Sequence, residues 1–309
     1  MSGSPEVPTI NYEAFSAERQ FVETEFGRVA MVERGAGPVA VFLHGFPLNG
    51  FHWRYQLSDL SDIRRCVVLD LMGLGHTEIR PGQDLSFDAQ AEMVLATLDA
   101  MGVEEFDLVG NDTGGGIAQL IAARAPHRIR SLVLTNADTH DNYPPALGVV
   151  HEAATQGVLA DEFVKYLADP AAAQAGLSGL VFEDPGYLTP ELLEIYLGPL
   201  VKNAERRENI HRYMTSQDNA ETVAIQPALA RLDVPTLVLW GSADPFFGIE
   251  WAYWLRDTIP GVVQVTELPG AKLFFTEERA SEVTKLIRHH WTRKEVAGAE
   301  FDRGMQPAR

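Results

Sequence analysis

Cysteine is almost absent. The single Cys66 among 309 residues excludes an internal disulfide and the multi-cysteine structural zinc sites. Positive charge is scarce as well. Lysine and arginine number 25 against 43 aspartates and glutamates, a formal net charge of −18 that repels phosphate backbones and anionic membrane surfaces. No apolar run reaches the ~18 residues of a membrane-spanning helix. The opening MSGSPEVPTINYEAF has neither the basic nor the apolar stretch of an export signal. The expectation is a cytoplasmic protein whose partner is a small-molecule substrate, without nucleic acid or membrane, and compatible with a homodimer. Hydrophobic residues, in contrast, make up 46% of the chain, enough for a sizeable core. The length suits one large α/β unit carrying an insertion better than two equal domains.

Short runs rich in Val and Leu recur along the chain: Val39 to Leu43, Cys66 to Leu71, Asp107 to Gly110, Leu132 to Thr135, Thr236 to Trp240 and Val262 to Leu268. Helical patterns separate them, as expected for buried parallel strands with crossover helices. Phe21 to Phe26 and Val29 to Glu33, joined at Gly27-Arg28, read as a hairpin at the sheet edge. Ser86 is a candidate N-cap for a helix over Phe87 to Met101, stopped by Gly102. Gly115 to Ala125 and Glu278 to Trp291 read as further helices. Between Asp141 and Pro227 helical patterns continue, near 146 to 168, 190 to 202 and 204 to 217, with no convincing strand. The expected division is a core of residues 20–140 and 227–292, a helical cap of 141–226, and peripheral tails of 1–19 and 293–309.

The most informative segment runs from Leu108 to Gly116, a strand passing directly into a helix. A nucleophile on such a strained turn needs glycine two residues to either side, because side chains there would collide. Gly110 and Gly114 stand in those places around Asp112. A carboxylate thus takes the position where serine is usual, above a helix N-terminus whose Thr113 N–H suits an anion or oxyanion. The competing reading is that Asp112 merely caps the helix. A dinucleotide site is excluded, since the glycines lack the G-x-G-x-x-G spacing.

Together with His44-Gly45-Phe46-Pro47, Asp70-Leu71-Met72-Gly73-Leu74-Gly75-His76-Thr77 and Leu239-Trp240-Gly241-Ser242-Ala243-Asp244-Pro245-Phe246, this elbow resembles the haloalkane dehalogenase and epoxide hydrolase branch of the α/β-hydrolases, over residues 20 to 292. The resemblance implies an α/β-hydrolase fold: a mostly parallel, doubly wound sheet with an inserted helical cap, working without metal or cofactor. It implies that Asp112 attacks carbon to give an ester, that the Phe46 and Thr113 amides form the oxyanion or leaving-group site, and that Asp244 is the relay acid. Asn136 and Asp138 occupy the place where other members put that acid. His44 belongs to the turn, and His44, Trp53, Tyr143, Leu273 and Phe274 are the expected pocket residues.

One departure stands out. Where the branch carries its general-base histidine, this chain reads Gly270-Ala271-Lys272-Leu273-Phe274, and leucine can neither take nor give a proton. His140, Asp138 and Lys272 are the candidate substitutes. Thr113 also stands where many members have a halide-binding tryptophan. Tyr143, Tyr166, Tyr187, Tyr196 and Tyr213 lie in the insertion, where epoxide hydrolases hold tyrosine acids. Three functions remain open: an atypical hydrolase of a small or medium apolar organic substrate, a non-hydrolytic lyase, cyclase or isomerase using the same pocket, and a ligand-binding pseudoenzyme.

Overall fold

A computed structural model describes residues 10–304, with side chains as far as Thr292. Eight strands form one sheet in the order β1-β2-β4-β3-β5-β6-β7-β8. β1 (Gln20–Thr24) and β2 (Gly27–Arg34) make the expected edge hairpin, and Gly27 takes the positive φ of 117° that the turn requires. β3 (Val39–Leu43), β4 (Arg65–Leu69), β5 (Phe106–Asp112), β6 (Ile129–Ala137), β7 (Thr236–Gly241) and β8 (Val262–Leu268) are mutually parallel, whereas β2 runs antiparallel to β4. Every residue of β5 and β7 is buried, which is why these strands read as apolar runs without alternation.

Strand order reverses between β3 and β5. From β3 the chain crosses to β4 on one side, and β5 then pairs on the other, so the loops leaving β3 and β5 diverge and open a crevice at the strand C-termini. The His44 to Pro47 turn and the Asp112 elbow are those two loops.

Helix Phe87–Ala100 starts where Ser86 Oγ accepts from the Ala89 N–H and ends before Gly102, at φ 68°. Between β6 and β7 the regular structure is helical, from Pro145–Thr155 to Gln226–Leu229. The patterns near 146 to 168 resolve into helices Pro145–Thr155 and Leu159–Ala168, followed by short turns through Val181 that the sequence did not signal. Helices Pro190–Val201 and Ala204–Ser216 match their patterns.

Within the expected peripheral segment of residues 1–19, Asn11 caps helix Tyr12–Ala17, and Phe15 is buried edge-on against Phe51. Helix Ala280–Gly304 continues past Trp291, where an end was expected, while residues 305–309 of the second tail lie outside the described residues. No helix among the described residues is long and apolar enough to cross a membrane.

Candidate active site

Asp112 terminates β5 with φ 56° and ψ −129°, a strained conformation for a non-glycine residue. Its side chain makes no capping bond to helix Thr113–Arg124, so the bland capping role is not the one it plays. The flanking glycines are sterically required. A Cβ at Gly110 would lie 2.4 Å from the Gly114 carbonyl oxygen, and one at Gly114 would lie 2.5 Å from the carbonyl oxygens of Leu43 and His44. Asp112 Oδ2 accepts from the Phe46 N–H at 2.8 Å, and the Thr113 N–H acts on the same carboxylate. Burial, reinforced by the neighbouring Asp138, pushes the Asp112 carboxyl up, and those two amides pull the other way.

Above Asp112 lies a cavity of about 230 Å³, closed by residues of the helical insertion. Its walls include Phe163, Leu177, Val181 and Met214, and no lysine or arginine among the described residues lines it. Tyr143, Val149 and Leu180 line it too and are themselves exposed, which marks an apolar mouth.

Leu273 lines the cavity, buried, where an imidazole was expected. Asn111 Nδ2 donates to its carbonyl at 3.1 Å, fixing the backbone of that loop beneath the elbow. Asp244, at the end of β7, is held by Asn136 Nδ2 at 2.6 Å and by the Phe246 N–H at 2.8 Å. Burial raises its carboxyl to about 7. Asp138 follows β6 directly, lines the cavity, and is likewise raised to about 7, by burial and then by Asp244.

Several expected site residues lie elsewhere. His140 does not bridge the carboxylates: it is bonded to Asp141 at 2.8 Å and Gln226 at 3.1 Å and packs on Trp254. Lys272 donates to the Gly179 carbonyl in the insertion at 2.5 Å, so its ammonium serves as a tie rather than as a base. His44 is not a pocket wall. Its Nε2 accepts from the Leu71 N–H and its Nδ1 faces the Gly45 carbonyl, a neutral structural imidazole that burial drives down to about 4. Trp53 is buried against Phe42 and His52, and Phe274 against His52 and Phe182, so neither reaches the cavity.

The tyrosines divide by position. Tyr143 and Tyr166 line the cavity. Tyr196 donates to Glu277 and, with Tyr187, accepts from Arg54. Tyr213 stacks on Phe46 and donates to Thr113 Oγ1 at 3.0 Å, tying the insertion to the elbow. Sequence reasoning missed His151, a cavity wall whose ring meets Tyr143 edge-on. A signal existed, since Leu147, Val150, His151 and Ala154 recur at the spacing of one helix face.

This geometry has relatives. The alpha/beta hydrolase fold family matches residues 38–278. A cis-3-alkyl-4-alkyloxetan-2-one decarboxylase of Shewanella oneidensis is 27% identical over 307 residues, covering 92% of each chain. Epoxide hydrolase 4 of Homo sapiens is 29% identical over 86% of this chain and 75% of its own. Haloalkane dehalogenase 2 of Mycobacterium tuberculosis is 27% identical over 87% of this chain and 93% of its own. An alpha/beta hydrolase fold protein of Burkholderia ambifaria superposes with a TM-score of 0.73 at 21% identity, over 87% of this chain and 96% of its own, a likeness of fold alone. The chain belongs to the α/β-hydrolase fold family, in the branch that includes haloalkane dehalogenases and epoxide hydrolases. It ranks with the hydrolases of that family.

Proposed function

We propose that the protein acts on a neutral, small to medium apolar organic molecule through Asp112, whose carboxylate attacks an electrophilic carbon to form an ester that water hydrolyses. The observation that carries this is the strained Asp112, bonded to the Phe46 N–H and facing a largely apolar cavity that no lysine or arginine among the described residues lines. Displacement at carbon needs a poorly hydrated carboxylate aligned behind the leaving group, and the insertion, acting as a cap, supplies that dryness. Anionic substrates would meet Asp112 and Asp138 with no lysine or arginine among the described residues of the cavity wall to offset them. The Phe46 and Thr113 amides would hold the oxyanion when water attacks the ester carbonyl.

Strained oxygen rings fit the site best. Opening one relieves strain without a charged leaving group, and two of the relatives are named for an epoxide and an oxetan-2-one. A second reading, rearrangement or elimination with no water incorporated, is favoured by Leu273 in the position of the base.

Intact-protein mass spectrometry after exposure to epoxides, oxetan-2-ones and alkyl halides tests the proposal. The expected result is a mass gain mapped to Asp112 and absent from Asp112→Ala. Single turnover in oxygen-18 water should leave the label in the Asp112 carboxylate. Undiminished turnover by Asp112→Ala overturns the reading, and a product formed with no solvent oxygen in either the product or the Asp112 carboxylate selects the second one.

A further inference from the structure

We propose that Asp138 handles both protons of this reaction, as the acid toward the opening ring oxygen and then as the base toward the water that attacks the Asp112 ester. The inference rests on Asp112 being the nucleophile.

The sheet itself brings the two carboxylates together. A register irregularity between Asn111 and Asp112 pairs Asp112 with Ala137, the residue before Asp138, and the Asp138 N–H donates to the Asp112 carbonyl at 3.3 Å. Gly116 makes room: a Cβ there would lie 3.0 Å from the Asp138 Cβ. Asp138 is 5% exposed, lines the cavity, and its carboxyl has no hydrogen-bond or ion-pair partner among the described residues. Such isolation is costly for a buried carboxyl, and an unpartnered acid facing a cavity is available to a ligand.

The neighbouring acids are occupied. Asp244 has Asn136 and the Phe246 amide, Glu162 faces Lys165 at 3.3 Å, and Glu277 is paired with Arg54. Asp112 and Asp138 cannot both be ionised cheaply in one buried site. The anion belongs on Asp112, where two amides receive it, and the proton on Asp138, which has no donor. The titratable groups around Asp138 are Asp112 and Asp244 from the sheet, the Tyr213 hydroxyl held on Thr113, and the cavity walls Tyr143, His151, Glu162 and Tyr166 from the insertion.

The cycle balances. Asp112 forms a bond to a ring carbon, the carbon–oxygen bond breaks, and the ring oxygen takes the Asp138 proton, leaving a hydroxy ester and the Asp138 carboxylate. Water then adds to the ester carbonyl and gives its proton to Asp138. Collapse expels the alkoxide, which takes that same proton from Asp138 to become an alcohol, and the remaining proton on the new Asp112 carboxyl passes to Asp138, regenerating the Asp112 carboxylate. Ring plus water becomes diol, and Asp138 returns protonated. This is the division of labour of two carboxyls in a retaining displacement.

Asp138→Asn, Asp138→Glu and His151→Ala test it with an epoxide substrate, followed by single-turnover kinetics and intact mass. In Asp138→Asn, ring opening should slow by roughly 10² to 10⁴-fold, any adduct that forms should persist, and kcat should fall with little change in KM. Asp138→Glu should recover part of the rate, and the pH–rate limb near neutrality should disappear only in the asparagine variant. An Asp138→Asn rate within threefold of wild type overturns the proposal. So does the same loss appearing in His151→Ala while Asp138→Asn remains active. Turnover surviving Asp112→Ala overturns the reading beneath it, a result separable from either outcome at Asp138.

Discussion

The Phe46 N–H reaches Asp112 Oδ2 at 2.8 Å across the gap between the ends of β3 and β5, and it does so because residue 45 has no side chain. A Cβ on Gly45 would lie 2.3 Å from Asp112 Oδ2 and 2.4 Å from Asp112 Cβ. Gly45→Ala should therefore displace the carboxylate rather than unfold the protein. The expected outcome is loss of covalent labelling by at least about 10²-fold with an unchanged far-ultraviolet circular dichroism spectrum. Labelling at the wild-type rate would mean that the elbow relaxes without moving its carboxylate.

Leu273→His restores an imidazole to a loop whose backbone Asn111 already fixes. If Asp112 forms an ester, the variant should release it faster by roughly 10 to 10²-fold, with labelling little changed, because general-base help acts only on the second step. Stopped-flow single turnovers separate the two steps. The gain should vanish in Leu273→His combined with Asp244→Asn. Equal acceleration of both steps would argue against a base acting on water.

How far the sequence reached follows from which interactions are local. β3 and β8 have the limits their apolar runs mark, and the Asp112 elbow was legible because its glycine spacing is itself a local pattern, even though the crowding at Gly114 comes from the distant Leu43 and His44 carbonyls. β5 and β6 extend further than expected, since ladder pairing continues through the polar Asn111 and Asn136. The failures are long-range. Nothing near His140 in the chain signals that Gln226 and Trp254 would occupy its ring, and Trp53 and Phe274 read as pocket aromatics although both are packed against His52. The lone carboxyl of Asp138 could be suspected from its place after β6, but its lack of partners is a property of the whole fold.

Beside the pocket, Arg54 and Glu277 form a buried ion pair whose 277 carboxylate also receives Tyr196 from helix Pro190–Val201. Arg54 and His52 hold that carboxyl below the usual range against its burial. Glu277→Ala strands a buried guanidinium and the Tyr196 hydroxyl, which should cost about 3 to 5 kcal/mol in urea unfolding. Arg54→Met with Glu277→Leu removes both charges and should cost clearly less. A single-variant loss under about 1 kcal/mol would show that water reaches the pair.

Stability should carry the signature of the buried carboxyls. Asp138 and Asp244 titrate near 7 in the folded chain, against about 3.9 for an unfolded aspartate. Between those values the folded state binds more protons than the unfolded one, so these groups make stability fall as pH rises from about 4 to about 7. Asp70 works the other way. The His76 side chain, His44 and the Gly50 amide outweigh its burial and hold it at about 2, so its contribution is complete above about 4 and is lost as pH falls through about 2. Asp138→Asn should remove part of the loss between 4 and 7 and leave the acid limb intact. Its stability relative to wild type should therefore improve across that window by an amount on the order of a few kcal/mol at most. Urea midpoints measured from pH 4 to 8 decide it: parallel curves for the two proteins would show that Asp138 is ionised throughout, and an acid at that position would then have no proton to give.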